Sequence, residues 1–221
     1  MSEHADAMAE IVRRVHPELK QAGFRKRRHT FNRSTEDGVV EVVGFQMGAK
    51  FPPGAEPIPR LRPDLYGRFT VNLGVAVREA WEQSMRFDKS FPAFVNDYDC
   101  QIRERLGQVL GERHDVWWPL DGEPADTAAV ISEALTGLGL AWLTARGTRR
   151  AILEAWECGG LDALPTPTAL PIVMILRHLD RPDDAADVLR SYYDTITDHR
   201  PHRRHVYEVA RSLHIGGLPP P

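Results

Sequence analysis

The densest charge cluster of the chain is a run of basic residues. Arg25, Lys26, Arg27 and Arg28 are consecutive, and Arg33 follows with no acidic residue in between. One guanidinium group can donate hydrogen bonds to two phosphate oxygens at once, so this run could bind a phosphate group or a nucleic acid. Charged runs of this kind also occur on strand edges, where they prevent pairing with other chains. Both interpretations stay open.

Two amide side chains stand in segments that have the pattern of strands. Asn72 lies between Thr70 and Gly74 in an alternating stretch, and Gln46 ends an earlier β-rich stretch. If these stretches pair, both amides share one sheet face, and the small neighbours leave room for a ligand or peptide. Arginine and tryptophan are enriched in binding hot spots. The candidate binding residues are Gln46, Asn72, Arg103, Arg105, Trp117 and Trp118. Alternatively, the two amides satisfy buried backbone groups.

Three histidines, His199, His202 and His205, recur at three-residue spacing among arginines. On a helix they would lie on adjacent turns, a spacing that could bind a transition metal. Because the arginines would repel a cation, the pattern favours an exposed basic helix end. We predict no metal site and no cofactor.

Patterns typical of catalysis are missing from the sequence. It has no Gly-x-Ser-x-Gly nucleophile motif and no glycine-rich phosphate loop. Cys100 and Cys158 are too few for a disulfide scaffold or a cysteine-only zinc site, and neither has a recognisable catalytic setting. We therefore expect no catalytic residue. An enzyme with an unrecognised site, joining Asn72, Gln46 and His114 to a carboxylate, is a further hypothesis.

These residues must be positioned by a helix and several strands at the start of the chain. Apolar residues at helical spacing predict a helix over residues 6–22, which Gly23 ends and Pro17 kinks or divides. Phe31 and residues 39–45 predict a hairpin, and residues 69–77 alternate strictly between apolar and polar or small. The prolines of residues 51–63 predict an exposed loop.

The second half of the chain has helical patterns throughout. Residues 97–110 predict one helix, and residues 126–143 predict another that Asp126 caps, with Val130, Ile131, Leu135, Leu138 and Trp142 facing inward. Four further helices are predicted at residues 148–159, 168–179, 182–193 and 201–213. The fold class is therefore α+β: an antiparallel sheet of three or more strands, an N-terminal helix and an all-helical C-terminal layer. We expect residues 1–125 to form the α+β domain and residues 126–221 a helical extension packed on it as one continuous unit.

Several of these segments carry a resemblance to a known family. They are Ala22-Gly23-Phe24-Arg25-Lys26, Thr30-Phe31-Asn32-Arg33, residues 39–46, residues 69–75, and residues 100–107 followed by Trp117-Trp118. In this order they resemble the bacterial domain of unknown function 4304 over residues 8–120. The resemblance implies an α+β domain and supplies no activity, substrate or catalytic residue.

Composition and charge narrow the function further. The chain has 221 residues with 28 Lys and Arg against 31 Asp and Glu, a net charge of −3, which gives no global attraction to nucleic acid or anionic lipid. No apolar run approaches the roughly 20 residues that cross a bilayer, and the N-terminus lacks a signal-peptide pattern, so we expect a cytoplasmic protein.

The first hypothesis for the function is a non-enzymatic protein- or peptide-binding module with an accessory or immunity-type role. The alternative is a nucleic-acid-associated protein that uses the basic run.

Overall fold

The fold combines a long N-terminal helix, an antiparallel sheet and a series of C-terminal helices, which confirms the predicted α+β class. The computed structural model describes residues 3–50, 54, 58, 63–84, 90–160, 163–166, 168–197 and 200–221. The chain forms two units: Met1–Ala76 with Pro92–Thr148, and Val77–Phe91 with Arg149–Pro221. The predicted domain boundary at residues 125 and 126 stays a prediction. Most of the proline-rich segment over residues 51–63 lies outside the described residues.

The N-terminal helix, α1, spans Glu3–Gln21. Its predicted apolar stripe is buried, and Gly23 ends it with a φ of +89°, a conformation that favours glycine. Pro17 lies within this helix and does not divide it, contrary to one expectation. Val15 and Leu19, on either side of Pro17, are both fully buried, so packing holds the helix together across the missing N–H.

The sheet of the first unit contains six described strands, all antiparallel to their neighbours. The strands are β1 Arg25–Arg27, β2 Thr30–Ser34, β3 Val40–Met47, β4 Arg68–Ala76, β5 Ile102–Arg105 and β6 Trp118–Pro119. The strand order is β1-β2-β3-β4-β5, and β6 also pairs with β4. The predicted hairpin and the alternating strand are both present.

The pleat divides the side chains of the sheet between two unlike faces. The apolar face carries fully buried residues such as Phe31, Val43 and Leu73, which face the core of the unit. The opposite face carries residues from every one of the five ordered strands and is mainly polar or small. We call it the polar face; it includes Arg25, Arg27, Thr30, Asn32, Gly44, Gln46, Thr70, Asn72, Gly74, Arg103 and Arg105.

The helix predicted over residues 97–110 is wrong. The structure has a 3₁₀ turn at Asp97–Asp99, the strand β5, and then a short helix, α3, at Leu106–Val109. Ile102 pairs with Val75 of β4 and is fully buried there. The local pattern fits a helix equally well, and pairing with β4 decides in favour of a strand.

The helix predicted over residues 126–143 is interrupted. It consists of α4 at Pro124–Ala134, a π-helical turn at Leu135–Gly139 and α5 at Leu140–Thr144. Gly137 has non-helical torsion angles (φ −84°, ψ −106°), and Val130 and Leu138 are 56% and 54% exposed rather than inward. Helix α4 packs against α1.

Among the described residues, Pro124–Thr144 is the one helical stretch long and apolar enough to cross a membrane. This is weak support for a membrane span, because core helices pass the same test.

The second unit is helical in its described part. Its described helices are α2 Arg78–Ser84, α6 Arg149–Gly159, α7 Leu170–His178, α8 Pro182–Thr195 and α9 Arg200–Ser212. Helix α7 packs against α2, α6 and α8. The four helices predicted in this part of the chain are present as α6 to α9, close to their expected ends, whereas α2 was not predicted.

Candidate functional site

The amides of Gln46 and Asn72 meet on the polar face. Asn72 lies opposite Gly44 in the β3–β4 register, two positions from the pair that Gln46 forms with Thr70. Its Nδ2 donates hydrogen bonds to Gln46 Oε1 at 2.9 Å and to Asp97 Oδ2 at 2.6 Å. Gln46 is exposed and Asn72 is half-buried. The two amides therefore form a fixed, solvent-accessible pair.

The space beside these amides is filled by the chain itself. A Cβ on Gly44 would lie 2.8 Å from Asp97 Cγ, and one on Gly74 would lie 2.6 Å from Cys100 Sγ. The two glycines thus admit the segment of residues 95–100 against the polar face. The expectation that small neighbours leave room for a ligand is wrong at Gly74, because the side chain of Cys100 occupies the room.

Asn32 holds this covering segment, residues 95–100, in place, a role that sequence analysis did not predict. Its Oδ1 accepts a hydrogen bond from Val95 N at 2.7 Å, and its Nδ2 donates to Val95 O at 2.9 Å. Asn32 is 3% exposed. Hydrogen bonding to buried backbone groups, the alternative role considered for Gln46 and Asn72, is therefore performed by Asn32. The contact joins residues 63 positions apart, so no local pattern could indicate it.

An arginine and a tryptophan extend the amide pair. Arg105 of β5 lies opposite Asn72, and its guanidinium stands 5.1 Å from the centroid of the Trp117 ring. Its Nε lies 3.2 Å from Asp115 Oδ1. Its Nη1 is buried and has no hydrogen-bond partner among the described residues. Arg103 lies two positions away on the same face and is exposed.

The two tryptophans contact opposite faces of the sheet. The Trp118 ring lies 5.8 Å from that of Phe69, which is fully buried on the apolar face. Trp118 therefore does not join the residues around Asn72, whereas Trp117 does. Both tryptophans are half-buried. We name the set Gln46, Asn72, Arg103, Arg105 and Trp117 the amide–arginine patch.

The thiol beside this patch is held in its neutral form. Burial raises the pKa of Cys100, and the nearby carboxylates of Asp97 and Asp99 raise it further. A protonated thiol is a poor nucleophile. Among the described residues, no group of three or more His, Cys, Asp or Glu side chains could hold a metal ion.

The basic run is divided by the fold. Arg25, Lys26 and Arg27 are exposed on β1, the edge strand of the described sheet, and Arg28 follows in the turn with a φ of +55°. This is the position expected for charge that guards a strand edge. The four residues nevertheless remain accessible to an anionic ligand.

Arg33 does not belong to this accessible group. It forms an ion pair with the buried Glu41, donates to Ala22 O at 2.9 Å, and lies 4.7 Å from the centroid of the Phe24 ring. A guanidinium with these partners is committed to the fold. Its assignment to a phosphate-binding cluster is therefore wrong.

Two histidines of the second unit, His202 and His205, lie close together beside Tyr192. His202 Nε2 lies 2.8 Å from the hydroxyl of Tyr192, and the rings of His202 and His205 are 6.4 Å apart. His199 lies outside the described residues. The arrangement ties α9 to α8 through Tyr192.

Comparison with protein families identifies the sheet unit. The model of the family described as "Domain of unknown function (DUF4304)" matches residues 15–51 and 61–145, which is more than half of the chain. The chain belongs to the DUF4304 family. The matched ranges of this DUF4304 protein include the whole amide–arginine patch. No curated protein matches the chain, and no solved structure does.

Proposed function

We propose that this DUF4304 protein is a non-enzymatic module that binds another protein or a peptide through the amide–arginine patch, in an accessory or immunity-type role. The observation that carries the proposal is the double hydrogen bond of Asn72. It fixes Gln46 of β3 and Asp97 of the covering segment in one arrangement on an accessible face.

The patch has the composition of a binding hot spot. Arg105 and Trp117 are stacked on each other and remain partly exposed, and arginine and tryptophan dominate the energetics of many interfaces. Because these side chains are already held by neighbours, they lose little conformational freedom when a partner arrives. Arg103 adds an exposed charge at the margin, where charge affects the rate of association.

The test compares a variant of the patch with a variant at a second arginine–tryptophan contact of the same unit. The variant Asn72→Ala, Trp117→Ala removes the centre of the patch, and Trp142→Ala removes the ring that lies 4.4 Å from Arg146. Tagged proteins are expressed in the native host, partners are identified by mass spectrometry with and without nuclease, and affinities are measured with the purified partner. We expect the double variant to bind at least about tenfold more weakly and Trp142→Ala to bind normally.

Two outcomes contradict this proposal. One is a double variant that melts like the parent protein and binds the same partner with unchanged affinity. The other is recovery of partners that nuclease treatment removes, which favours the alternative that Arg25–Arg28 bind nucleic acid. That alternative requires binding that weakens steeply with salt, because each neutralised phosphate releases counterions.

A further inference from the structure

A cavity lies between the N-terminal helix and the turn that joins β1 to β2. Its volume is about 620 Å³, within the roughly 300–1,000 Å³ typical of small-molecule sites. Helix α1 supplies an apolar wall, and the turn supplies cationic and imidazole groups. The lining residues are Ala9, Val12, Lys26, Arg28, His29 and Thr30.

The pleat of β1 selects which basic residues reach this cavity. Lys26 pairs with Phe31 and so lies on the face of the sheet opposite to Arg25 and Arg27. Arg28 enters the cavity wall from the turn, where its φ is +55°. A run that looks uniform in the sequence is therefore split, and two of its four members line one concave site.

The two charged residues that line the cavity, Lys26 and Arg28, are both basic. None of the lining residues is acidic, and neither Lys26 nor Arg28 has an ion-pair partner among the described residues. Burial, and then the charge of Lys26, lower the pKa of His29. An anion bound here would neutralise Lys26 and Arg28 and would favour the protonated, hydrogen-bond-donating form of His29.

We propose that this cavity binds the phosphate group of a small molecule. Lys26 and Arg28 supply cationic donors, His29 supplies an imidazole N–H, and Ala9 offers an apolar surface to the rest of the ligand. A phosphate has three terminal oxygens for these several donors, whereas a carboxylate has two. The site goes beyond the proposed partner-binding function and uses none of the residues of the amide–arginine patch.

The experiment follows the ring signals of His29 by NMR while inorganic phosphate is added to the full chain. His29→Gln identifies the signals, and sodium chloride and acetate at matched ionic strength serve as comparison salts. We expect phosphate to raise the pKa of His29 in a saturable way and the comparison salts to leave it nearly unchanged. Lys26→Gln or Arg28→Gln should each weaken phosphate binding about tenfold, as expected when a charge-assisted hydrogen bond is lost.

Arg25→Gln is the matched control because it removes the same charge one position away, on the other sheet face. We expect it to weaken phosphate binding less than about twofold, the size of a screened long-range effect. Equal losses from Arg25→Gln and Lys26→Gln would overturn the proposal, because they would show a diffuse charged edge of the kind nucleic acid binds. An equal response to acetate or chloride would overturn it as well. Phosphate binding should be unchanged in Asn72→Ala, Trp117→Ala, so this proposal and the partner-binding proposal fail independently.

Discussion

The Nδ2 of Asn72 donates to side chains from two different elements, Gln46 of β3 and Asp97 of the segment that lies on β4. These two hydrogen bonds fix both acceptors, so the positions of Gln46 and Asp97 depend on Asn72. Close packing also occurs at Gly74. Because this residue has no Cβ, the side chain of Cys100 can lie directly against β4. At the residue scale, the surface around Asn72 therefore depends on a glycine that lets the segment of residues 95–100 pack closely against the strand.

Gly74→Ala is predicted to destabilise the protein. The new Cβ would lie 2.6 Å from Cys100 Sγ and 2.9 Å from Cys100 Cβ, closer than van der Waals contact. Overpacking of this kind costs about 1–3 kcal/mol in the free energy of unfolding, which urea denaturation measures. Cys100→Ala in the same chain should recover part of the loss.

The control for this substitution is Gly122→Ala, because a Cβ at Gly122 meets no atom within 4 Å. Its free energy of unfolding should change by less than about 0.5 kcal/mol. If Gly74→Ala behaves like Gly122→Ala, the close packing of Cys100 on β4 is not a determinant of stability.

At the scale of elements, the polar face is completed by a segment that has little regular structure of its own. Asn32 of β2 binds both the N–H and the C=O of Val95, and the 3₁₀ turn at Asp97–Asp99 then lies over Gly44. Through Asn72, this segment also fixes the amide–arginine patch. The side chain of Asn32 thus replaces a strand as the partner of the covering segment.

Asn32→Ala is predicted to release the covering segment. The variant leaves the N–H and the C=O of Val95 without their partner, and each buried unsatisfied group costs about 1–3 kcal/mol. We expect hydrogen exchange of the amides of residues 95–100 to accelerate at least about tenfold, the factor that corresponds to 1.4 kcal/mol.

Asn96→Ala is the matched control, since its side chain donates a hydrogen bond to Asp99 within the segment and forms none with the described strands of the sheet. Its effect on exchange should be small by comparison. Unchanged exchange of residues 95–100 in Asn32→Ala would contradict the role assigned to this side chain.

At the scale of the whole molecule, the chain contributes to its second unit twice. Residues 77–91 interrupt the sheet unit in sequence and join the C-terminal helices. Within that unit, Glu79 of α2 accepts two hydrogen bonds from Arg149 of α6, at 2.7 and 2.8 Å, and both side chains are nearly buried. This ion pair ties the inserted segment to the helices that follow residue 148.

Arg149→Met is predicted to be strongly destabilising. Breaking one partner of a buried ion pair typically costs about 3–5 kcal/mol because the other charge stays buried and unpaired. The neighbouring Arg150→Met is the control, since Arg150 pairs with Glu154 at the surface, where an ion pair contributes little to stability. Chemical denaturation of both variants measures the difference. Equal stability of the two would contradict the assigned role of the Glu79–Arg149 pair.

The sequence by itself determined the elements whose pattern is strong over many residues. The apolar stripe of α1, the alternation of β4 and the helices from α6 to α9 follow from periodicity, because burying one face requires that spacing in any tertiary context. The shared face of Gln46 and Asn72 also follows, once β3 and β4 pair.

Only the tertiary structure decided the features that depend on distant partners. Residues 102–105 form a strand because β4 is there to pair with them, and Trp118 turns to the apolar face because Phe69 lies beneath it. Arg33 is separated from the exposed residues of the basic run because it forms an ion pair with Glu41 and packs against Phe24. In each case the deciding contact joins residues that are distant in the chain or brought together by strand pairing, and its energy does not appear in any local window of sequence.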